Sequence, residues 1–245
     1  MPSDQTRGAI LAAAERLYAD RGFGDVTLRD IVAAANVNLA AVNYHFGSKD
    51  ELIAELFVTR SLALNRERLR QLRAAEERGG GCAEIAEILR ALVGPTLRGC
   101  LGRDNQSSTA ARFMIQVNIE SVPAIRRIRN REIDHLRKFV AAMRRALPDR
   151  AEVELYWGLH FALAMAQQTV RDSERLTKLS DSQCDLDDVE AVIERVVQVA
   201  VMALAGSTVK EKAAAPQGLC AVATKAPRDA GAATRGNSRI DISSL

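Results

Sequence analysis

The sequence predicts an all-α protein in three parts: a small three-helix unit at residues 1–50, a larger helical domain at 51–206 and a disordered tail at 207–245. Three observations carry this. Apolar residues recur at three- and four-residue spacing through almost every long segment, the period of one helix face. Alanine, leucine and arginine dominate while aromatics make up only 4%, a composition that favours helix over sheet. Alternating β-branched runs bounded by turn residues, the mark of strands, are absent from the sequence. A chain of 245 residues is long enough for one domain of about 50 residues and a second of ordinary size.

The first helix is expected from Ser3 or Asp4 to Asp20, with Ile10, Ala14, Leu17 and Tyr18 at helical spacing, and it stops at Arg21-Gly22-Phe23-Gly24. Thr27 caps the next. Asp30 three residues on completes a capping-box-like pair, and Leu28, Ile31 and Val32 form the apolar face. The period breaks at Ala35-Asn36-Val37. Asparagine is one of the few non-glycine residues that tolerates the left-handed backbone of a helix end, so Asn36 marks the turn. Asn38 caps a second short helix whose inward residues are Val42 and Phe46, leaving Leu39, Ala40, Ala41, Asn43 and Tyr44 outward. Gly47 ends it. Ser48-Lys49-Asp50-Glu51 is then a full capping box for a helix that continues to about Arg78 and stops at Gly79-Gly80-Gly81. Such a length exceeds what a small domain needs, so this helix reads as a rod joining the two domains.

The second domain gives helix after helix. One is expected from Ala83 to Leu101, bent near Gly94-Pro95 because proline lacks the N–H. A loop at 102–106 precedes a helix from Ser107 to Glu120, and Pro123 suits the first turn of another that runs to about Ala146. Glu152 to Arg171 follows the turn Leu147-Pro148-Asp149. The polar stretch from Asp172 to Leu186 is either a mobile loop or a short frayed helix. Asp187 and Asp188 sit favourably in the first turn of a last helix that ends near Ala205. Beyond it the tail has too few large apolar residues to offset the entropy of ordering it.

Two short helices with a small-residue outer face on the second are what a helix-turn-helix needs to enter a major groove about 12 Å wide. Ala40 and Ala41 let the backbone approach the bases. Asn43 suits a bidentate pair with adenine, and Leu39 or Ala40 a thymine methyl. Tyr44, His45 and Lys49 are placed for phosphates, and the two caps Thr27 and Asn38 complete the expected DNA-binding set. The formal charge of +3 is mild, so affinity for DNA must come from a local patch.

Other chemistry is poorly supported. Cys82, Cys100, Cys184 and Cys220 are scattered without C-x-x-C spacing, which suggests neither a zinc site nor a disulfide framework. His135 and His160 read as packed or surface histidines. An all-helical enzyme would need convergent groups, and there is no G-x-S-x-G turn or paired His–carboxylate motif, so no catalytic residue, metal or cofactor is expected. No signal-peptide core or apolar run of about 18 residues is present, which points to a cytoplasmic protein without a membrane partner.

Two apolar patterns remain. The helix holding Val189, Val192, Ile193, Val196, Val197, Val199, Ala200 and Leu204 is apolar around more than one stripe, and so must be covered on most sides. The covering is either the domain's own centre or, preferably, a second copy. In the second case this helix and the one at 152–171 pair with their twins as a four-helix bundle. The second pattern, Phe113, Met114, Val117, Phe139, Met143, Trp157, Phe161 and Met165, is either plain core or the lining of an adaptable ligand pocket.

The run V-N-L-A-A-V-N-Y-H-F-G-S-K-D-E-L, with T-L-R-D-I-V-A-A-A upstream, resembles the TetR family of one-component regulators, and the resemblance spans Ile10 to Leu56. Two positions depart from the family pattern. Asn36 stands where glycine is usual, and Asn43 stands at the usual tyrosine position with Tyr44 one residue later, which keeps both as base-contact candidates. The resemblance implies a homodimer on a palindromic duplex operator and an apolar cavity in the second domain, and most simply a repressor released by its ligand. The segment E-L-Y-W-G-L-H-F-A-L-A-M, taken with that signature, is similar to members that answer to fatty acids or acyl-CoA thioesters.

Overall fold

The computed structural model describes residues 3–102, 109–120 and 122–206. The tail expected at 207–245 and most of the loop expected at 102–106 lie outside them. The described residues form eleven helices and no strand: α1 (Ser3–Arg21), α2 (Leu28–Ala35), α3 (Leu39–Phe46), α4 (Lys49–Arg78), α5 (Ile85–Leu101), α6 (Thr109–Ile119), α7 (Pro123–Arg131), α8 (Asp134–Ala146), α9 (Glu152–Arg171), α10 (Ser173–Leu179) and α11 (Val189–Ala205).

Local chemistry sets the N-terminal boundaries. The Thr27 side chain accepts from the Asp30 N–H, and the Asp30 carboxylate accepts from the Thr27 N–H at 2.8 Å, which closes the capping box. Asn36 is left-handed, φ 53° and ψ 48°, so its own N–H reaches the Ala33 carbonyl and the Val37 N–H reaches Val32 at 3.0 Å. Asn38 Oδ1 accepts from the Ala41 N–H at 2.9 Å, and Ser48 Oγ accepts from the Glu51 N–H at 3.2 Å. α4 then runs 30 residues, a rod of about 45 Å. It crosses the expected boundary at residue 50 without a break, and we retain the division into 1–50 and 51–206 as a proposed functional one.

Two apolar cores lie along that rod. The head core gathers Ile10, Leu17, Tyr18, Phe23, Ile31, Val42, Phe46, Leu52 and Phe57 from α1 to α4. The body core gathers Leu72 of α4 with α5, α8, α9 and α11, centred on Leu89, Leu92, Phe139, Leu155, Ala162 and Ile193. α5 is continuous across Gly94-Pro95 and lies against α11, where Arg90 grips Glu194 and Arg98 grips Glu190, each through two nitrogens. These pairs are too exposed to add much stability but fix the register of the two helices.

α6 joins the cores. Phe113 and Val117 are buried in the head core, Met114 packs against both cores, and Arg112 pairs with Asp20 of α1 at 2.9 Å. At the end of α6 the Glu120 carboxylate accepts the Phe23 N–H at 3.0 Å and the Gly24 N–H at 3.3 Å. Gly22, at φ 79°, makes room for it, since a Cβ there would collide with that carboxylate.

The helix expected from Pro123 to Ala146 is two helices, interrupted at Glu132 (φ −87°, ψ 73°) and Ile133. No glycine or proline marks the break. It arises from packing: Ile125 of α7 is buried in the head core while Phe139, Val140 and Met143 of α8 enter the body core. The polar stretch at 172–186 contains the short α10, followed by Asp181 and Ser182 at positive φ.

Because Asn36 already pays the left-handed strain, Asn36→Gly is expected to leave the melting temperature unchanged or higher. Asn36→Val is expected to cost about 1–2 kcal/mol in urea unfolding, with no loss of helix content in the folded state.

Candidate nucleic-acid interface

α3 is short, capped at both ends and anchored by Val42 and Phe46, so its outward face is held by the head core. On that face Asn38, Leu39, Ala40, Asn43 and Tyr44 are exposed, Leu39 at 43% and Tyr44 at 82%. The backbone beside Ala40 is uncluttered, while Asn43 offers a donor and an acceptor and Tyr44 a hydroxyl on a rigid ring. Such a face fits direct base readout flanked by backbone contacts.

The remaining predicted residues divide by role. Thr27 is exposed, but its hydroxyl is engaged with the Asp30 carboxylate at 2.6 Å. That bond and the backbone donors hold the Asp30 carboxyl below its usual range. Asn38 likewise works as a cap. Ala41 is half-buried against the head core, and half-buried His45 lies edge-on to Tyr44 with ring centroids 5.1 Å apart. Lys49 is tied inward: its ammonium donates to the Phe23 carbonyl at 2.7 Å and lies 5.9 Å from the centre of the Tyr18 ring. It therefore staples the α1–α2 turn to the start of α4. Arg29 is exposed on the first turn of α2, two residues after the Thr27 cap.

The eight residues read as either core or pocket lining are not gathered around one cavity. Phe113 and Val117 are in the head core, Phe139 and Met143 are fully enclosed in the body core, and Met114 and Met165 are half-buried beside it. Trp157 and Phe161 turn outward from α9, 52% and 48% exposed, their rings stacked at 5.4 Å. The four-residue spacing identified an apolar stripe but not the direction it faces. With Val153 and Tyr156, these two make an exposed apolar strip on α9, and Val199 and Met202 make another on the adjacent α11. On the inner side the two helices meet closely, since a Cβ on Gly158 would strike the Leu204 side chain.

Among the described residues no three His, Cys, Asp or Glu side chains are grouped to hold a metal ion, and no helix is long and apolar enough to cross a membrane. Cys220 lies outside the described residues. Cys82 and Cys184 are exposed, and burial pushes the Cys100 thiol up to about 11.

Comparison with known proteins agrees with this geometry. The profile of the bacterial regulatory proteins of the tetR family matches residues 10–56, and that of the tetracyclin repressor-like C-terminal domain matches residues 90–203. The transcriptional repressor Rv3405c of Mycobacterium tuberculosis is 44% identical over 50 residues, 20% of this chain and 27% of that protein. The match thus spans about a quarter of that relative's length. A TetR family regulator from Marinobacter aquaeolei superposes with a TM-score of 0.52 at 16% identity, covering 82% of this chain and 95% of that one. FadR of Bacillus subtilis, solved with stearoyl-CoA, superposes with a TM-score of 0.55 at 14% identity, covering 80% and 98%.

Lys49→Met keeps the apolar stem but removes the bond to Phe23. Urea unfolding is expected to show a loss of about 1–2 kcal/mol, whereas Asn43→Ala and Tyr44→Ala, both exposed, should shift the midpoint little.

Proposed function

This chain belongs to the TetR family of transcriptional regulators, and we propose that it binds a palindromic operator as a homodimer and acts as a repressor released by a small apolar effector. The observation that carries the reading is the outward face of α3: polar readers beside an alanine-lined backbone, fixed from behind by Val42 and Phe46. Asn43 reads an adenine edge, Leu39 or Ala40 meets a thymine methyl, and Tyr44 and His45 contact the backbone. Lys49 contributes charge at the α4 N-terminus while holding the turn in place.

The exposed strips on α9 and α11 support dimerisation. Contiguous exposed apolar surface marks an interaction site, and a second copy offers the same two helices for a four-helix bundle. Trp157 and Phe161 then belong to the subunit interface. Two-fold symmetry sets the recognition helices about 34–36 Å apart, one turn of duplex.

The effector belongs in the body. Stearoyl-CoA bound to the Bacillus FadR, together with the apolar character of this body, favours a fatty acid or acyl-CoA. Its influence reaches the head through α6, whose side chains complete the head core and whose Glu120 holds the α1–α2 turn. An effector preferring one arrangement of α6 shifts the head only by its differential affinity. About 1–3 kcal/mol of coupling would change DNA affinity roughly 5- to 150-fold. This work belongs in the cytoplasm, where the operator is.

Footprinting on the intergenic DNA beside the chain's own reading frame tests the proposal. Protection of a two-fold symmetric site is expected, and no binding at low salt would remove it. Asn43→Ala should relax sequence preference by about 1–3 kcal/mol at one base pair per half-site. Trp157→Glu should give monomers in sedimentation and lose cooperative protection of both half-sites.

A further inference from the structure

Between the two cores lies a polar cluster that neither core explains. On α4 the buried head residues end at Phe57 and the body core resumes near Leu69 and Leu72, with Arg68 at the edge. On α7 and α8 the head contacts end at Ile128 and the body contacts begin at Leu136, beside His135. Arg68 is only 8% exposed. Its Nη2 donates to Thr96 Oγ1 at 2.7 Å and its Nη1 to Asn65 Oδ1 at 3.3 Å, while its Nε–H is buried without a partner.

The unusual feature is charge. No carboxylate pairs with Arg68 among the described residues. Neighbouring Glu67 is held by Arg70 and Gln71 and lies well below the usual carboxylate range, at about 2, and Asp134 pairs with Arg137. Cys100, close enough to feel the guanidinium, is kept as a neutral thiol by burial. His135 sits against Asn65 at 3.5 Å, and burial with the Arg68 charge pulls it down to about 4, so it too is neutral near pH 7. Burial also lowers the Arg68 pKa, yet only to about 10, which leaves it a cation. A buried, uncompensated cation is costly, and it is usually paired or hydrogen-bonded throughout.

We propose that Arg68, held by Thr96 and Asn65, is the receptor for the carboxylate of an effector acid whose apolar body lies along the seam between α4, α5 and α8. This deepens the reading of the chain as a ligand-responsive regulator and rests on it. One unmatched guanidinium balances one monoanion, and its free Nε–H beside a part-used Nη fits the fork geometry of a carboxylate. Leu72, Leu92 and Phe139 lie one turn from Arg68, Thr96 and His135 on their respective helices and are buried in the body core, so the tail enters by parting apolar side chains at that seam. The inference selects the free acid over the neutral ester or thioester at this position. It also places the effector where a shift of α4 against α8 is felt by both cores.

The test uses the full-length protein and measures thermal shift and release from operator DNA. The probes are octanoate, dodecanoate, hexadecanoate and naphthoate, each beside its matching alcohol. At least one acid should stabilise the protein and release DNA where its alcohol does not. Arg68→Met should bind DNA normally and bind that acid roughly tenfold or more weakly. Arg68→Lys, which keeps the charge without the fork, should fall between and guards against a misfolded Met variant. The proposal is overturned if acids and alcohols act alike, if Arg68→Met responds as the parent does, or if no acid acts on a protein that binds DNA. Failure of the parent to bind any duplex would instead remove the regulatory reading, whatever Arg68 does.

Discussion

The packing of α6 against α1 is the constraint on which the head depends. Three short helices and the first turns of a rod have little interior of their own, and a unit of that size buries too small a share of its surface to be robust. Here the deficit is met from downstream, by Phe113, Val117 and Ile125. The same docking satisfies two backbone donors of the α1–α2 turn through Glu120. Positioning of α3 is thus inherited from the body as well as from its own caps.

On the function proposed above, the same contacts give a path by which a change in the body reaches the head. Lys49 fastens the α1–α2 turn to α4 from one side, and Glu120 fastens it to α6 from the other. The turn is gripped by both elements that run from head to body. Relative motion of the two has few ways to be absorbed before it reaches the turn, because close-packed interiors shift between discrete arrangements and do not deform smoothly.

What could be read from the sequence was what local chemistry decides. The Thr27–Asp30 box, the left-handed Asn36, the Asn38 cap and the Ser48 box each involve residues within a few positions of one another, and each formed where the side chains indicated. The outward set on α3 followed from them, except that Ala41 packs half-buried against the head core. What stayed hidden depends on partners far along the chain. Nothing local breaks the helix at Glu132, and nothing in the spacing of Trp157 and Phe161 tells an inner from an outer apolar stripe. Arg68 is the sharpest instance: it stands in a run with Arg66 and Arg70, yet it alone of the three is buried. The sequence places Lys49 for a phosphate contact, and its inward bond to Phe23 was not legible there because it needs a turn 26 residues earlier to be folded beside it.

The borrowed side chains in the head core also bear on how such proteins are recombined. A chimera that joins residues up to the middle of α4 to a foreign ligand-binding half would expose the sockets left by Phe113 and Val117. It would also strip the Phe23 and Gly24 amides of their acceptor. A workable exchange would have to carry a matched α6 across with the reading head, so the natural seam for modular engineering of this protein is a surface shared by two distant segments and not a point along the chain.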